Sequence, residues 1–280
     1  MGWFQHIVAL CELSLEYGFL PHTNAGPLSR DEMAALGSLN ASMGLMLEQS
    51  TSALLDGVHR FAPSKVPHLR LEQLRLAGEL RIPFTTGLLL GVGESEADCE
   101  QSLHDIAAIA NEYNHIQEVI LQPYSPAGDK HANASPGGYD IRCLPSVIRL
   151  ARAILPADVA IQVPPNLVLG LARREGADML RAQLLAGARD LGGISPQDEV
   201  NPTYPFPVSD VLRSMVEDGR QDPPQQHHRD QGKDYGLDQG QDSGRRFVLQ
   251  RRLPVHDRLL PWAAERPKVR AVLSQMGYDV

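Results

Sequence analysis

Residues 84–95 read Phe-Thr-Thr-Gly-Leu-Leu-Leu-Gly-Val-Gly-Glu-Ser, an apolar β-prone run that breaks into spaced glycines and then an acid. Glycine within a strand marks a place where another backbone or a ligand comes close, so Gly87, Gly91 and Gly93 point to a crowded strand end. Glu94, just beyond it, is placed to cap the next helix or to hold a ligand hydroxyl or amine. A strand with this ending fits the C-terminal mouth of a β/α barrel, where such folds put their chemistry. A tight turn between strand and helix satisfies the same residues.

Other expected strand ends carry related groups: Thr23 and Asn24, Glu48, Gln122 and Tyr124, Asn166, and Ser195. They are amides, hydroxyls and carboxylates, without a lysine, a nucleophilic triad or a metal-ligand cluster. Such a set suits a polar, multi-hydroxyl molecule held by directional hydrogen bonds. It does not suit phosphate capture, which wants basic support, or a Schiff base, which wants a lysine. Glu48 follows the apolar run 43–47 and is placed to accept from a ribose or an ammonium group. Each residue taken singly serves equally well as a helix cap. His22 and His59 are acid–base types with no assigned role, and Met43 and Met46 read as barrel core.

These ends must be delivered by alternating strands and helices, the signature of βαβ units around a parallel sheet. Helices are expected over 4–17, 29–39 (opened by the capping-box spacing Ser29 to Glu32), 68–80, 95–113, 144–154, 171–185 and 208–217. Strands are expected over 19–24, 41–47, 82–90, 119–122 and 160–163, with a small strand and turn in 187–196. A Gly/Pro/Asn-rich loop spans 127–138. The expected organisation is a partial barrel over 1–207, a helix at 208–217, a low-complexity insert at 218–246 and a C-terminal segment at 247–280. The insert holds His227 and His228 but too few apolar residues to bury.

The chain has 280 residues, 42% of them hydrophobic, and a formal net charge of −8. A net negative chain offers little to nucleic acid. No apolar run approaches the ~20 residues of a membrane span, and the first residues lack a signal-peptide layout; a cytoplasmic protein is expected. The three cysteines, Cys11, Cys99 and Cys143, show no metal-ligand spacing.

Five segments in order, 20–26 (Leu-Pro-His-Thr-Asn-Ala-Gly), 40–48 (Asn-Ala-Ser-Met-Gly-Leu-Met-Leu-Glu), 83–94, 115–122 and 161–167, resemble the deazaflavin (FO) synthase subunit 1 family of radical S-adenosylmethionine enzymes. The resemblance runs from about residue 17 to 207 and resumes at 249–255. It implies a partial (β/α) barrel of the radical S-adenosylmethionine type, a lyase that closes a hydroxybenzyl–uracil adduct made by a partner subunit into the deazaflavin FO, and a 4Fe-4S cluster beside S-adenosylmethionine. By the same resemblance, Glu48, Gly87, Gly91, Gly93 and Glu94 would line the cofactor, and Asn24, Gln122 and Asn166 would touch substrate. The family's C-x-x-x-C-x-x-C cluster loop has no counterpart in the sequence, so a barrel without its first βα unit is expected. A non-catalytic relative that binds a small molecule is the alternative.

Overall fold

The computed structural model describes residues 2–125, 138–168, 173–195, 207–217 and 245–280. Most of the expected 127–138 loop, and residues 218–244 of the low-complexity segment with His227 and His228, lie outside the described residues. In chain order the elements are α1 (Trp3–Glu16), β1 (His22–Thr23), α2 (Arg30–Gly37), β2 (Ser42–Gly44), α3 (Pro67–Glu79), β3 (Phe84–Leu90), α4 (Glu96–Tyr113), β4 (Ile116–Pro123), α5 (Leu144–Ile154) and β5 (Ala160–Gln162). They are followed by α6 (Arg173–Ala186), α7 (Ser209–Glu217), α8 (Leu260–Ala264) and α9 (Pro267–Gln275).

All five strands are parallel and stand in the order of the sequence, β1-β2-β3-β4-β5. Among the described residues no pairing joins β5 back to β1, so the barrel is open. Capping boxes start two of the helices: Ser29 with Glu32 at α2, and Ser95 with Asp98 at α4. In each, a hydroxyl and a carboxylate satisfy backbone N–H groups that the first turn leaves unpaired.

Alternation along the strands separates two faces. Met43, Phe84, Leu88, Val119, Leu121 and Ile161 join the buried core with Leu74, Leu103, Ile106 and Ile148 of the surrounding helices. Burying each such side chain is worth roughly 1.5–3 kcal/mol. The other face is concave, and the strand register stacks it in layers. His22 and Ser42 lie lowest; Gly44, Thr85, Glu118 and Ala160 come next; Gly87, Ile120 and Gln162 stand above them.

Several strands differ in extent from their expected spans. β1 has two residues, not six, and Phe19 is exposed. β2 stops at Gly44 because the chain then leaves the ladder: the Leu47 amide bonds the Thr86 hydroxyl, and pairing resumes only at Glu48 opposite Leu88. β4 begins three residues earlier than expected, at Ile116. There the register slips, Phe84 pairing with Ile116 but Thr85 with Glu118, a bulge that turns Gln117 and Glu118 together toward Thr85. The expected strand in 187–196 reduces to a single bridge from Asp190 to Gln162.

A strap of residues 252–258 closes the floor of the concavity. The Pro254 carbonyl accepts from Ser42 Oγ at 2.5 Å and Gln117 Nε2 at 3.0 Å, and the His256 amide donates to Gln117 Oε1. Arg258 then bonds the Ile116 and Asn114 carbonyls and the Asp158 side chain.

Candidate functional site

The mouth of the barrel is organised by Glu48. Its backbone is left-handed, with φ of 68°, which a non-glycine residue adopts at a cost of order 1–3 kcal/mol. The surrounding ladder imposes it, since the Glu48 amide donates to the Gly87 carbonyl and the Glu48 carbonyl accepts from the Leu89 amide. The side chain is buried. Lys65 Nζ is ion-paired with its Oε1, and Arg70 Nη1 lies 3.5 Å from the same oxygen. Arg70 is itself buried, donating to the Ser64 and Met46 carbonyls.

His59 stands near this trio, 8% exposed, with Nε2 buried and unpartnered. Desolvation and the Lys65 charge push its imidazole below the ordinary value, Glu48 pulling the other way. Lys65, Arg70 and His59 come from the segment between β2 and α3 and from α3 itself, not from strand ends, so an inventory of strand ends passes over them. The signal that could have found them is the run from His59 to Arg70, whose basic residues immediately follow the strand that ends in Glu48.

The glycine-rich strand end is tightly built. A Cβ on Gly87 would collide with the Ile120 carbonyl and lie 2.7 Å from Met46 Cε, so Met46 covers this strand position. Gly91 has φ of +87° and packs against Tyr139, while a Cβ on Gly93, with φ of +114°, would make only an ordinary contact with Leu54 Cδ2 at 3.8 Å. Glu94 folds back on the turn: its two carboxylate oxygens accept from the Gly91 and Val92 amides at 2.6 and 2.9 Å. Gln122 is half-buried near the same rim. Asn166 is fully buried in a short 3-10 turn, Pro165–Val168, beyond β5. Asn24 is exposed, one residue past β1, and Ser195 is exposed. The structure thus brings Glu48, Gly87, Gly91, Gly93, Glu94 and Gln122 to the β2–β4 side of the mouth, with Asn24 and Asn166 beyond β1 and β5.

A second polar group occupies the floor. Glu118 accepts from Thr85 Oγ1 at 2.8 Å and Arg252 Nη2 at 2.7 Å, and Arg252 Nε donates to Asp190 at 2.5 Å. His256 Nε2 lies 3.4 Å from Glu118 and 3.5 Å from Asp190. Burial alone would raise the Glu118 pKa, but the His256 hydrogen bond, Arg252 and Thr85 hold it below the ordinary carboxylate value. Glu118, Asp190 and His256 have metal-ligating atoms within 4.8 Å of one another. Arg252 neutralises both carboxylates in their midst, which makes this a closed ion-pair network.

No family model matches the sequence. Among curated proteins, the chain is 56% identical over 215 residues to the 7,8-didemethyl-8-hydroxy-5-deazariboflavin synthase of Trichormus variabilis, covering 77% of this chain and 61% of that protein. To the protein of the same name from Synechocystis sp. it is 56% identical over 217 residues, covering 78% and 67%. The chain therefore spans about three-fifths to two-thirds of the length of these relatives. In fold it is similar to the FeFe-hydrogenase maturase HydG from Carboxydothermus hydrogenoformans, with a TM-score of 0.57 at 16% identity over 75% of this chain and 49% of that one. Methylornithine synthase (PylB) gives a TM-score of 0.51 at 18% identity, covering 75% and 61%. No helix among the described residues is long and apolar enough to cross a membrane. With an open, all-parallel β/α barrel and relatives more than half identical, the chain belongs to the 7,8-didemethyl-8-hydroxy-5-deazariboflavin synthase family.

Proposed function

We propose that this chain forms the S-adenosylmethionine- and substrate-holding part of a 7,8-didemethyl-8-hydroxy-5-deazariboflavin synthase acting as a lyase. The observation that carries the reading is Glu48, a buried acid in left-handed backbone at the barrel mouth with Lys65 and Arg70 against it. A carboxylate accepts from an ammonium or a ribose hydroxyl, and two adjacent cations receive a carboxylate. The three groups together fit a zwitterionic amino-acid end, such as S-adenosylmethionine carries, and the unpartnered His59 Nε2 fits a further polar atom beside it. The rim at Gly91, Gly93 and Glu94 would line the adenosine, with Met46 over Gly87 as packing partner. Asn24, Gln122 and Asn166 would hold the hydroxyl-rich substrate.

The residues of this chain do not fit a 4Fe-4S cluster, which needs thiolates gathered at one place. Cys11 is buried against Thr23 and Asn40. Cys99 is buried, its thiol pushed up to about 11 by desolvation with Glu94, Glu100 and Glu96 adding to it. Cys143 is exposed at the start of α5. Bound S-adenosylmethionine would supply the hydrogen-abstracting group only after reductive cleavage by an electron from a donor outside this chain. The part played by this chain is to bind both molecules, orient them across the concave face and shield them from water.

The reaction we assign to the complete enzyme closes a 5-amino-5-(4-hydroxybenzyl)-6-(ribitylimino)-dihydrouracil adduct, supplied by a partner subunit, with release of ammonia, 5′-deoxyadenosine and methionine. The scattered cysteines favour a second reading, a non-catalytic binding protein. Calorimetric titration of S-adenosylmethionine, paired with anaerobic iron–sulfur reconstitution followed by absorbance and iron content, separates the two. Binding that Glu48→Gln weakens supports the cofactor site, and wild-type affinity in that variant refutes it. Cofactor binding by a chain that takes up no iron fits the second reading when this polypeptide acts alone; a stoichiometric cluster overturns the cysteine argument.

A further inference from the structure

Below the mouth, on β1 and β2, the side chains of His22 and Ser42 meet across a parallel register pair, Nδ1 to Oγ at 2.7 Å. Ser42 Oγ lies 2.5 Å from the Pro254 carbonyl of the strap. A carbonyl only accepts, so at that distance the single hydroxyl proton of Ser42 is committed to Pro254. Ser42 Oγ is then left to accept from His22, which places the proton on Nδ1 whatever the charge of the ring. In the neutral imidazole Nε2 is a bare acceptor. It sits over Gly44, where an added Cβ would come within 3.1 Å of Nε2 and 3.3 Å of the Thr85 carbonyl, so glycine leaves the ring its place. The residue keeps exposed surface beside this contact. Desolvation by the surrounding groups lowers the pKa of the ring; of the charges near it, Glu118 on β4 favours the imidazolium and Arg252 on the strap opposes it.

We propose that His22 is the proton acceptor of the concavity, its Nε2 lone pair held toward bound substrate by the relay through Ser42 to the Pro254 carbonyl. In the step, an O–H or N–H bond of the substrate breaks, the electron pair stays on the substrate heteroatom, and the proton forms a bond to Nε2. Nδ1 keeps its own proton and its bond to Ser42, and the charge of Glu118 favours the imidazolium that results. Ser42 and Gly44 are positioning residues for this group. The assignment rests on the reading that the concavity holds the deazaflavin precursor.

The test begins with the chain as it is, labelled with 15N-histidine and read by long-range proton–nitrogen correlation. The chain has 10 histidines, so the His22 signal is identified by its loss in His22→Gln. The expected result is the Nδ1–H tautomer, and Ser42→Ala should release the ring to the Nε2–H tautomer that free histidine favours. An Nε2–H ring in the unmodified chain overturns the proposal without recourse to any variant. The second arm measures carbethoxylation of His22 by diethyl pyrocarbonate in the presence of the product deazaflavin, whose binding is followed separately by fluorescence polarisation. At ~10 times its Kd the product should slow modification about tenfold. Binding without protection overturns the role of His22 alone; absence of binding overturns this role together with the proposed function.

Discussion

Arg252 Nη2 lies 2.7 Å from the Glu118 carboxylate although 134 residues separate them, and Arg252 Nε reaches Asp190 at 2.5 Å. One guanidinium on the strap thus neutralises two acids that the sheet buries. Removing one partner of a buried ion pair costs about 3–5 kcal/mol because the remaining charge stays buried. Arg252→Ala should therefore lower stability by about 3 kcal/mol in urea unfolding, and Arg252→Met combined with Glu118→Gln should recover much of the loss. Equal loss in the single and the double variant would show that the strap is held by its backbone contacts alone.

Acid should loosen the same floor. The folded-state pKa of Glu118 lies below its ordinary value of 4.5. A depressed carboxylate contributes stability that is complete above the unfolded pKa and is lost as the pH falls through the folded one. Protease susceptibility of the strap should thus rise as the pH falls below the ordinary value of 4.5 in the parent chain. In Glu118→Gln that acid-dependent step should shrink. An unchanged step would place the acid lability elsewhere.

His115 titrates with the opposite charge change. It is buried, its Nε2 2.8 Å from the Leu74 carbonyl and Nδ1 unpartnered, and desolvation lowers its pKa from 6.5 to about 4. Between those values the unfolded chain binds the proton that the folded chain refuses. Stability should therefore climb as pH rises from about 4 to 6.5, by up to about 3 kcal/mol. Urea midpoints across that window check it, and His115→Gln should flatten the slope.

At the mouth, Glu48→Gln leaves Lys65 and Arg70 facing a neutral amide. Because Arg70 is buried, about 2–3 kcal/mol of destabilisation should accompany any loss of ligand affinity. Differential scanning calorimetry of the free protein isolates that part of the effect.

Gly87→Ala should be among the most damaging single changes on the concave face. Its Cβ would meet the Ile120 carbonyl, a backbone atom that the β3–β4 ladder holds in place. A loss of about 3 kcal/mol is expected, and Met46→Ala should not rescue it, since Met46 is the softer of the two obstacles.

The helices were the most legible part of the chain. α5 spans residues 144–154 as its pattern predicts, and α4 starts at the capping serine Ser95. Periodicity and caps are local signals, which a sequence carries in full. The strands were placed in order but not in extent. β4 reaches back to Ile116 because Gln117 and Glu118, polar by type, are buried by a strap more than 130 residues away. At the site, Glu48 was legible as an acid ending an apolar run. Lys65, Arg70 and His59 were not, because they reach it from an irregular segment whose path no periodicity reveals. Asn24 and Asn166 were legible as polar groups near strand ends, but their opposite exposures depend on the flanking turns.

The strap also sets the schedule by which the molecule can be completed. Ser42 meets Pro254 across 212 residues, and Arg266 bonds the Gly37 carbonyl across 229. Contacts so distant along the chain form late and slowly, and during synthesis they must wait for residues 254 and 266 to leave the ribosome. Until then the nascent sheet stands with Ser42, Gln117 and Glu118 wet and His22 without its relay. The floor of the site is therefore finished only once the strap has docked, and the orientation of His22 arrives with it.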